Sequence, residues 1–303
     1  MSYPIDRSPL YGISSIHVLA RTLQIRVGRL RDLAYLTGQF KEGTTERNGK
    51  ERKTETPIRS MRRIHNRVQA LLTRIETPDY LHSGKKKRSY LSNAKAHEGH
   101  AQSFQVDISK FYPSCTWHHV YLCFRSRFRC SSYIAGILAS ILTYSGHIPT
   151  GSPNSSLLAF FVHRDVFDTL NSMAMRHGLT MTVLQDDITF SGLGLDEDFR
   201  AKVRKVIKRK GLNPKRSKQK YTHGGKSPEI TGIVLTGEGP KAPWSRHHAL
   251  HNAISEFESS DTEDTIRKSY QRAMGRLSEI EQVQGKHPKL KARLRTRFRE
   301  RLS

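Results

Sequence analysis

The sequence contains little cysteine and few acidic residues. Its 303 residues include only 3 cysteines, and 27 Asp and Glu stand against 52 Lys and Arg, which leaves a formal net charge of +25. Cys115, Cys123 and Cys130 form neither an even set nor a metal-ligand spacing, so we expect no disulfide framework and no zinc site. This cysteine usage suits a reducing compartment, and we expect a cytoplasmic protein.

Apolar residues are also scarce, at 36% of the chain. The longest uncharged stretch, residues 130–162, is interrupted by Pro149, Gly151 and Pro153. It therefore lacks the ~20 consecutive apolar residues that a membrane-spanning helix needs. Asp6 and Arg7 lie where a signal peptide would require an apolar segment. We expect neither a membrane segment nor a secretory signal.

The large excess of positive charge makes a polyanion the expected partner. Lys and Arg that neutralise phosphates release condensed counterions, which favours binding to nucleic acid whatever its sequence. A solvated basic surface and a membrane-surface role are the alternatives, although no clear amphipathic helix of the interfacial kind is present. The basic residues cluster in four segments, namely residues 59–67, 85–88, 202–220 and 286–301.

The hydrophobic spacing predicts an α+β fold. Residues 40–57 are polar and carry Asn48-Gly49 at their centre, which predicts a β-hairpin. Strands are predicted at residues 104–108, 179–184 and 188–191, with a last strand at 230–235. Helices are predicted within residues 13–36, over 58–75, after 113, over 134–142, 155–175 and 199–210, and beyond Pro243. The helix after residue 113 is expected to face inward with Trp117, Val120, Tyr121 and Phe124.

Three carboxylates are expected to meet on the predicted sheet. Asp107 ends one strand, and Asp186 and Asp187 occupy the bend of a hairpin about 80 residues later. Three such groups would hold two divalent ions, and Mg²⁺ fits because it prefers hard oxygen ligands. That arrangement is typical of nucleotidyl transfer by two metal ions. An Asp-Asp pair by itself is weak evidence, since Asp also occurs at turns for local reasons.

The segments around these acids resemble the reverse transcriptases, and within them the bacterial retron-type enzymes. Three segments are similar to the first, second and third catalytic motifs of that family: FQVDISKFYPS at 104–114, IPTGSPNS at 148–155 and LQDDITFSG at 184–192. Two more are similar to signatures of the retron branch, NAKAH at 93–97 and ITG at 230–232. The resemblance covers roughly residues 40–235.

The resemblance implies catalytic and metal-binding roles for Asp107, Asp186 and Asp187, with the Ile108 carbonyl as an extra ligand and two Mg²⁺ as cofactors. It also implies a set of residues that bind the incoming deoxynucleoside triphosphate. Among them, Tyr112 would close off the 2′ position of the sugar, and Lys215 and Arg216 are rivals of Lys218 for the basic residue of the fourth motif. The nucleotide-binding set is Arg52, Tyr112, Gly151, Ser152 and Lys218.

RNA contacts are expected from two groups of residues. The retron-like segments supply Asn93, His97, Thr231 and Gly232 as residues for selective recognition, or alternatively for packing. The basic run of Lys85, Lys86, Lys87 and Arg88 is expected to contact phosphates without selectivity.

The resemblance further implies a right-hand polymerase fold. Its parts would be N-terminal helices at residues 1–39, fingers at 40–103, a palm at 104–240 and a small helical thumb at 241–303. The implied activity is copying of a cognate structured noncoding RNA into single-stranded DNA, in antiphage defence and with a separate effector protein.

Two positions depart from the family pattern, because Thr150 stands where Gln is usual and Leu184 where Tyr is usual. Neither departure removes a metal ligand. Two alternatives follow: a defence-associated reverse transcriptase outside the retrons, and an RNA-binding scaffold with a polymerase fold and little synthesis.

Overall fold

The computed structural model describes residues 2–36, 38–47, 50–100 and 102–302. It is 52% helical and 17% strand, which confirms the predicted mixture of helix and sheet. The helices are α1 (Ile16–Leu23), α2 (Val27–Tyr35), α3 (Arg59–Leu72), α4 (Tyr90–Lys95), α5 (Phe111–Ser114), α6 (Trp117–Leu122), α7 (Ser132–Leu142), α8 (Ser155–Val162), α9 (Arg164–Arg176), α10 (Glu197–Arg209), α11 (Trp244–Ser259), α12 (Glu263–Gln284) and α13 (Pro288–Glu300). The strands are β1 (Phe40–Arg47), β2 (Lys50–Pro57), β3 (Ser103–Ser109), β4 (Thr180–Leu184), β5 (Asp187–Ser191), β6 (Asn213–Pro214), β7 (Lys220–Thr222), β8 (Glu229–Ile230), β9 (Ile233–Thr236) and β10 (Gly239–Lys241).

The chain divides into two compact units. The first unit comprises Met1–Ser89, Phe104–Phe190 and Gly194–Lys220. The second comprises Tyr90–Ser103, Ser191–Leu193 and Tyr221–Ser303. The division into fingers, palm and thumb stays a prediction. Among the described helices, none combines the length and the apolar character that crossing a membrane requires.

The predicted hairpin is confirmed in the first unit. Strands β1 and β2 pair antiparallel in a register that runs from Phe40 opposite Pro57 to Arg47 opposite Lys50. The predicted turn residues, Asn48 and Gly49, lie outside the described residues. Helix α3 follows the hairpin and buries the predicted apolar face of Ile64, Val68, Leu71 and Leu72.

The central sheet has the strand order β4-β5-β3-β6. Side chains alternate between the two faces of a strand, so Phe104 of β3 and Phe190 of β5 lie on the face opposite Asp107 and Asp187. Helix α10 covers the face of the two phenylalanines, since the ring of its Phe199 lies 5.3 Å from that of Phe190. The carboxylate of Asp196 caps this helix by accepting a hydrogen bond from the Phe199 N–H at 2.7 Å.

The long helix predicted over residues 155–175 is wrong, because the structure has two helices there. Helix α8 ends at Val162 and α9 begins at Arg164. His163 between them leaves helical geometry, with φ of −105° and ψ of 19°. Its ring packs against those of Phe111 and His119, at 5.9 and 5.4 Å, and this packing accompanies the break.

The inward orientation predicted for Trp117 is also wrong. Trp117 is 37% exposed, whereas Val120 and Phe124 are fully buried. Trp117 and Tyr121 are four residues apart, so they share one face of the helix, next to the face that carries Val120 and Phe124. Their rings stack at 5.4 Å, and the Trp117 indole N–H donates to the Ser140 hydroxyl at 3.1 Å.

The second unit combines a small sheet with the predicted C-terminal helices. The sheet order is β10-β9-β8. The apolar residues predicted in helical register beyond Pro243 all belong to one hydrophobic cluster with Phe257, namely Ile266, Tyr270, Met274, Leu277 and Ile280. The helical prediction for this region is therefore confirmed.

The last strand predicted over residues 230–235 is wrong. Strands β8 and β9 form a hairpin in which Ile230 pairs with Ile233. Thr231 and Gly232 form its two-residue turn, with φ of 49° and 76°. Positive φ at both central positions is the geometry that matches the twist of a hairpin. A further strand, β10, pairs with β9.

The hairpin turn gives a first prediction. Gly232→Ala should lower the free energy of unfolding by about 1–2 kcal/mol, because a side chain at positive φ is strained. The added Cβ would also lie 3.0 Å from the Arg246 guanidinium. Urea denaturation measures the change. Gly237→Ala is the matched control, since its Cβ would meet nothing within 4 Å and its φ is not positive. Equal stability of the two variants would contradict the strained turn.

Candidate active site

The three predicted carboxylates meet in the first unit. One ligand oxygen from each of Asp107, Asp186 and Asp187 lies within 4.8 Å of the others. Asp107 is buried on β3, Asp186 lies in the β4–β5 turn and Asp187 is the first residue of β5. The Ile108 N–H donates to the Asp186 carbonyl at 2.9 Å, and this bond fixes the turn beside β3. The predicted convergence of the acids is therefore present.

Mutual repulsion and burial dominate the electrostatics of this cluster. Burial, followed by the negative charge of Asp107, raises the pKa of Asp186. Burial, then Asp186 and Asp107, raises the pKa of Asp187 to about 6. Carboxylates in this environment gain stability from any cation that joins them.

Lys218 supplies a positive charge to the cluster. Its ammonium group donates a hydrogen bond to Asp107 Oδ2, and this bond raises the pKa of Lys218. The backbone N–H of Lys215 donates to the Asp107 carbonyl at 2.8 Å, so Lys215 contributes its main chain. Of the three rivals in the fourth motif, Lys218 is the one whose side chain reaches the acids.

The donor set fits a hard divalent cation. The three carboxylates are close enough together to bind one ion, and Mg²⁺ and Ca²⁺ both prefer oxygen ligands. Ile108 lies beside Asp186, since its N–H donates to the Asp186 carbonyl. The role of the Ile108 carbonyl as a ligand stays a prediction.

Tyr112 and Arg52 lie near the acids. Tyr112 is partly exposed just after β3, and burial, followed by the charge of Asp186, raises its pKa. The neighbouring Phe111 is buried and packs against Phe167 at 6.2 Å, so it belongs to the core. Arg52 is exposed on β2, and its charge opposes the burial effect on the pKa of Asp186.

The second motif is bound to the hairpin through Glu55. The Glu55 carboxylate lies 3.1 Å from His147 Nε2 and accepts from the Thr150 N–H at 3.3 Å. Its backbone carbonyl accepts from the Gly151 N–H at 3.1 Å. A Cβ on Gly151 would lie 2.5 Å from Thr56 Oγ1. Glycine is therefore needed here for close approach of the hairpin, and its N–H is already used within the protein.

Ser152 is bound to a buried histidine that the sequence analysis did not single out. Burial lowers the pKa of His65 to about 4, so the ring is neutral at pH 7. Its Nε2 lies 2.7 Å from the Ile141 carbonyl, which can only accept, so Nε2 carries the proton. Nδ1 lies 2.5 Å from the Ser152 hydroxyl oxygen. The Ser152 side chain thus links the second motif to helix α3.

No protein-family model matches the chain, but several curated proteins do. The Retron Ec86 reverse transcriptase of Escherichia coli is 25% identical over 301 residues, which cover 93% of this chain and 94% of that protein. The Retron Se72 reverse transcriptase of Salmonella heidelberg (strain 579083-10) is 32% identical over 206 residues, 65% of this chain and 52% of that protein. The Retron Mx162 reverse transcriptase of Myxococcus xanthus is 24% identical over 270 residues, 77% of this chain and 56% of that protein. The matches thus span nearly all of one relative and about half of the other two.

The matches support a retron-type reverse transcriptase. The relatives confirm the resemblance that the motifs indicate. In this chain, Thr150 stands where the family resemblance leads one to expect Gln, and its hydroxyl donates to the Lys53 carbonyl at 3.1 Å. The replacement therefore adds a bond to the hairpin strand that carries Arg52. Leu184, at the usual Tyr position, ends β4 and is partly buried.

The retron-like segments lie within the second unit. Asn93 is 1% exposed and His97 is 0% exposed, and His97 Nδ1 lies 2.6 Å from the Ser191 hydroxyl. Thr231 donates to the Tyr90 carbonyl at 3.0 Å. The Thr231–Tyr90 bond favours packing of α4 against the β8–β9 hairpin, the alternative role considered for these residues, whereas His97 contacts the last residue of β5. Selective RNA recognition by Asn93, His97, Thr231 and Gly232 stays a prediction.

The basic run at residues 85–88 divides into two pairs. Lys86 and Lys87 are exposed, as phosphate contacts require. Lys85 is partly buried, and this burial lowers its pKa. Arg88 forms an ion pair with Asp79 at 3.2 Å and donates to His82 Nε2 at 3.3 Å. Lys86 and Lys87 are thus more available for phosphate contacts than Lys85 and Arg88.

The link between the hairpin and the second motif gives a second prediction. Glu55→Ala should speed amide hydrogen exchange across residues 147–153 by about 10-fold, since the loss of buried hydrogen bonds removes roughly 1–3 kcal/mol of local stability. Exchange followed by mass spectrometry measures this. Glu51→Ala, an exposed position on the same strand, is the control and should leave exchange unchanged. Unaltered exchange in Glu55→Ala would show that the carboxylate does not hold the loop.

Proposed function

We propose that this chain synthesises DNA on an RNA template. The observation that carries the proposal is the meeting of three carboxylates beside the Lys218 ammonium. Hard oxygen ligands and a nearby cation suit a reaction on a triphosphate, in which negative charge must be neutralised and positioned. The names of the relatives support the same activity, because each is called a reverse transcriptase.

Asp107, Asp186 and Asp187 would hold two Mg²⁺, with the Ile108 carbonyl as a further ligand. Ions bound in this way activate a 3′-hydroxyl and stabilise a leaving pyrophosphate. Lys218 would exchange its bond to Asp107 for one to the pyrophosphate and donate a proton there. Arg52, on the hairpin, would hold the triphosphate by its charge. The ring of Tyr112 would occupy the space that a 2′-hydroxyl needs and so favour deoxynucleotides.

The template we propose is a cognate structured noncoding RNA, copied into single-stranded DNA. This part rests on the resemblance to retron enzymes, as does a role in antiphage defence with a separate effector protein. The retron relatives favour this over a defence-associated enzyme outside the retrons. The intact acid cluster argues against a scaffold with little synthesis.

The acids give the third prediction. Asp186→Asn combined with Asp187→Asn should reduce primer extension by at least about 100-fold, because weakened metal binding removes several kcal/mol of transition-state stabilisation. RNA affinity should stay within about threefold, since the basic clusters contact phosphate. The control is Asp32→Asn with Asp261→Asn, two exposed acids with the same change in charge. Undiminished DNA product from the first variant would reject the site.

Tyr112 gives the fourth prediction. Tyr112→Val should raise incorporation of ribonucleotides relative to deoxynucleotides by about 10-fold, as expected when a pocket contact that excludes one group is removed. Competition between the two nucleotides in primer extension measures the ratio. Tyr112→Phe keeps the ring and should keep the original ratio. A ratio that is the same in all three proteins would assign Tyr112 to the core.

A further inference from the structure

Helix α10 has one buried face and a strongly basic exposed one. Phe199, Val203 and Ile207 are its buried residues. Both acids of its first turn are neutralised within the helix, since Glu197 pairs with Arg200 and Arg204, and Asp198 pairs with Lys202. The remaining cations lie toward the C-terminal end of the helix. The charge of this end is therefore not balanced by the helix itself.

A depression of about 690 Å³ lies beside this basic end. Its polar lining comes from α10 and from the loop after β6, and it includes no Asp or Glu. Lys205, Lys208, Arg209 and Arg216 form no ion pair with any described residue. The amide nitrogen of Gln219, which also lines the depression, is without a hydrogen-bond partner in the described part of the chain. Its lining thus supplies donors and positive charge but no acid to match them. The polar lining residues are Arg204, Lys205, Lys208, Arg209, Arg216 and Gln219.

The α10 depression is separate from the candidate active site. Helix α10 packs on the sheet face that carries Phe190, and alternation puts Asp107 and Asp187 on the opposite face. The turn Arg216–Lys218 connects the two regions, because Lys218 bonds Asp107 while Arg216 lines the depression. A molecule in the depression would contact this turn without occupying the acid cluster.

The size and chemistry of the depression fit a chain of phosphates. Lys205 and Arg209 are separated by one turn of helix, about 6 Å, which matches roughly two nucleotide steps at 3.4 Å of rise on one strand. A lipid surface fits poorly, because no large apolar side chain is exposed between residues 196 and 219 and interfacial binding needs one.

We propose that the α10 depression binds the sugar–phosphate backbone of a nucleic-acid strand outside the active site. Lys205, Lys208 and Arg209 contact successive phosphates. Arg216, on the neighbouring turn, contacts a phosphate at the end of this series. Contacts of this type depend on the charge of the strand and not on its base sequence. The strand is either RNA or single-stranded DNA, which share a phosphodiester backbone. The proposal concerns binding alone, so it stands or falls independently of DNA synthesis by the chain.

The first test measures how binding depends on salt. The test variant carries Lys205→Gln, Lys208→Gln and Arg209→Gln. The control carries Arg267→Gln, Lys268→Gln and Arg276→Gln, which remove the same charge from exposed cations already paired with acids on α12. The probes are a 20-base-pair RNA duplex and a 20-nucleotide single-stranded DNA.

Three lost phosphate contacts should reduce the slope of log affinity against log salt by about 2–3 for at least one probe. The control should change the slope by less than about one. Equal changes in both variants would mean that net charge alone is responsible, and this result, like an unchanged slope in the test variant, would overturn the proposal. The probe that responds identifies the strand. Primer extension by the unmodified chain tests the proposed function separately.

The second test measures occupancy of the depression directly. Ala201→Cys places a thiol in its lining, and Ser172→Cys places one on the exposed surface of α9. The three native cysteines are free and buried. Burial raises the pKa of Cys123 to about 12 and that of Cys130 to about 11, so their thiols react slowly with maleimide.

Saturating RNA duplex or single-stranded DNA should slow maleimide labelling of Ala201→Cys by at least about fivefold, since a bound backbone excludes the reagent. Labelling of Ser172→Cys should not change. Protection by RNA alone or by DNA alone supports the site and names the strand. Equal protection of both thiols, or protection of neither, would overturn it.

Discussion

Three carboxylates within 4.8 Å of one another repel strongly, and Asp107 is almost completely buried among them. Such a cluster is stable only if cations share it or if its members take up protons. The protein supplies one cation, Lys218, and raises the pKa of Asp186 and Asp187. This unmet need for positive charge means that the cluster could hold a divalent ion. The central sheet, the β4–β5 turn and the loop that carries Lys218 all serve to bring these groups together.

Contacts around the cluster link distant segments of the first unit. Glu55 joins the hairpin to the second motif, and His65 joins helix α3 to the same motif through Ser152. Both residues lie outside the segments that resemble catalytic motifs. Thr150 adds a further bond to the hairpin backbone. Where the family resemblance leads one to expect a long amide, this chain has a short hydroxyl that bonds to the protein itself.

Much of this architecture follows from local sequence patterns. The acids were predictable because Asp107 ends an apolar strand and the Asp pair interrupts an alternating one. The helix over residues 59–72 and the hairpin before it follow from spacing and from a turn dipeptide. The break at His163 was not predictable, because residues on both sides keep helical spacing. The interruption accompanies packing of the His163 ring against Phe111 and His119, which lie far from it in the sequence.

Other features depend on contacts between residues far apart in the chain. Thr231-Gly232 lies in a segment with the composition of one strand, and only its pairing reveals two strands and a turn. Lys215, Arg216 and Lys218 are equivalent in sequence, and the fold of their loop selects Lys218. Burial of Asn93 and His97 is likewise a tertiary feature that no local sequence pattern indicates. Sequence patterns identify the chemistry of the site, whereas its connections come from the tertiary structure.

The central claim is that the three carboxylates form one divalent-metal site. Fe²⁺ that replaces Mg²⁺ at a protein site generates hydroxyl radicals in the presence of ascorbate and peroxide, and these radicals cut the nearby backbone. Mapping the cuts by mass spectrometry is the most direct measurement. We predict cleavage next to Asp107 and next to Asp186, in the same molecules, and its suppression by excess Mg²⁺. Cleavage at neither place, or at only one of them and insensitive to Mg²⁺, would contradict a shared metal site.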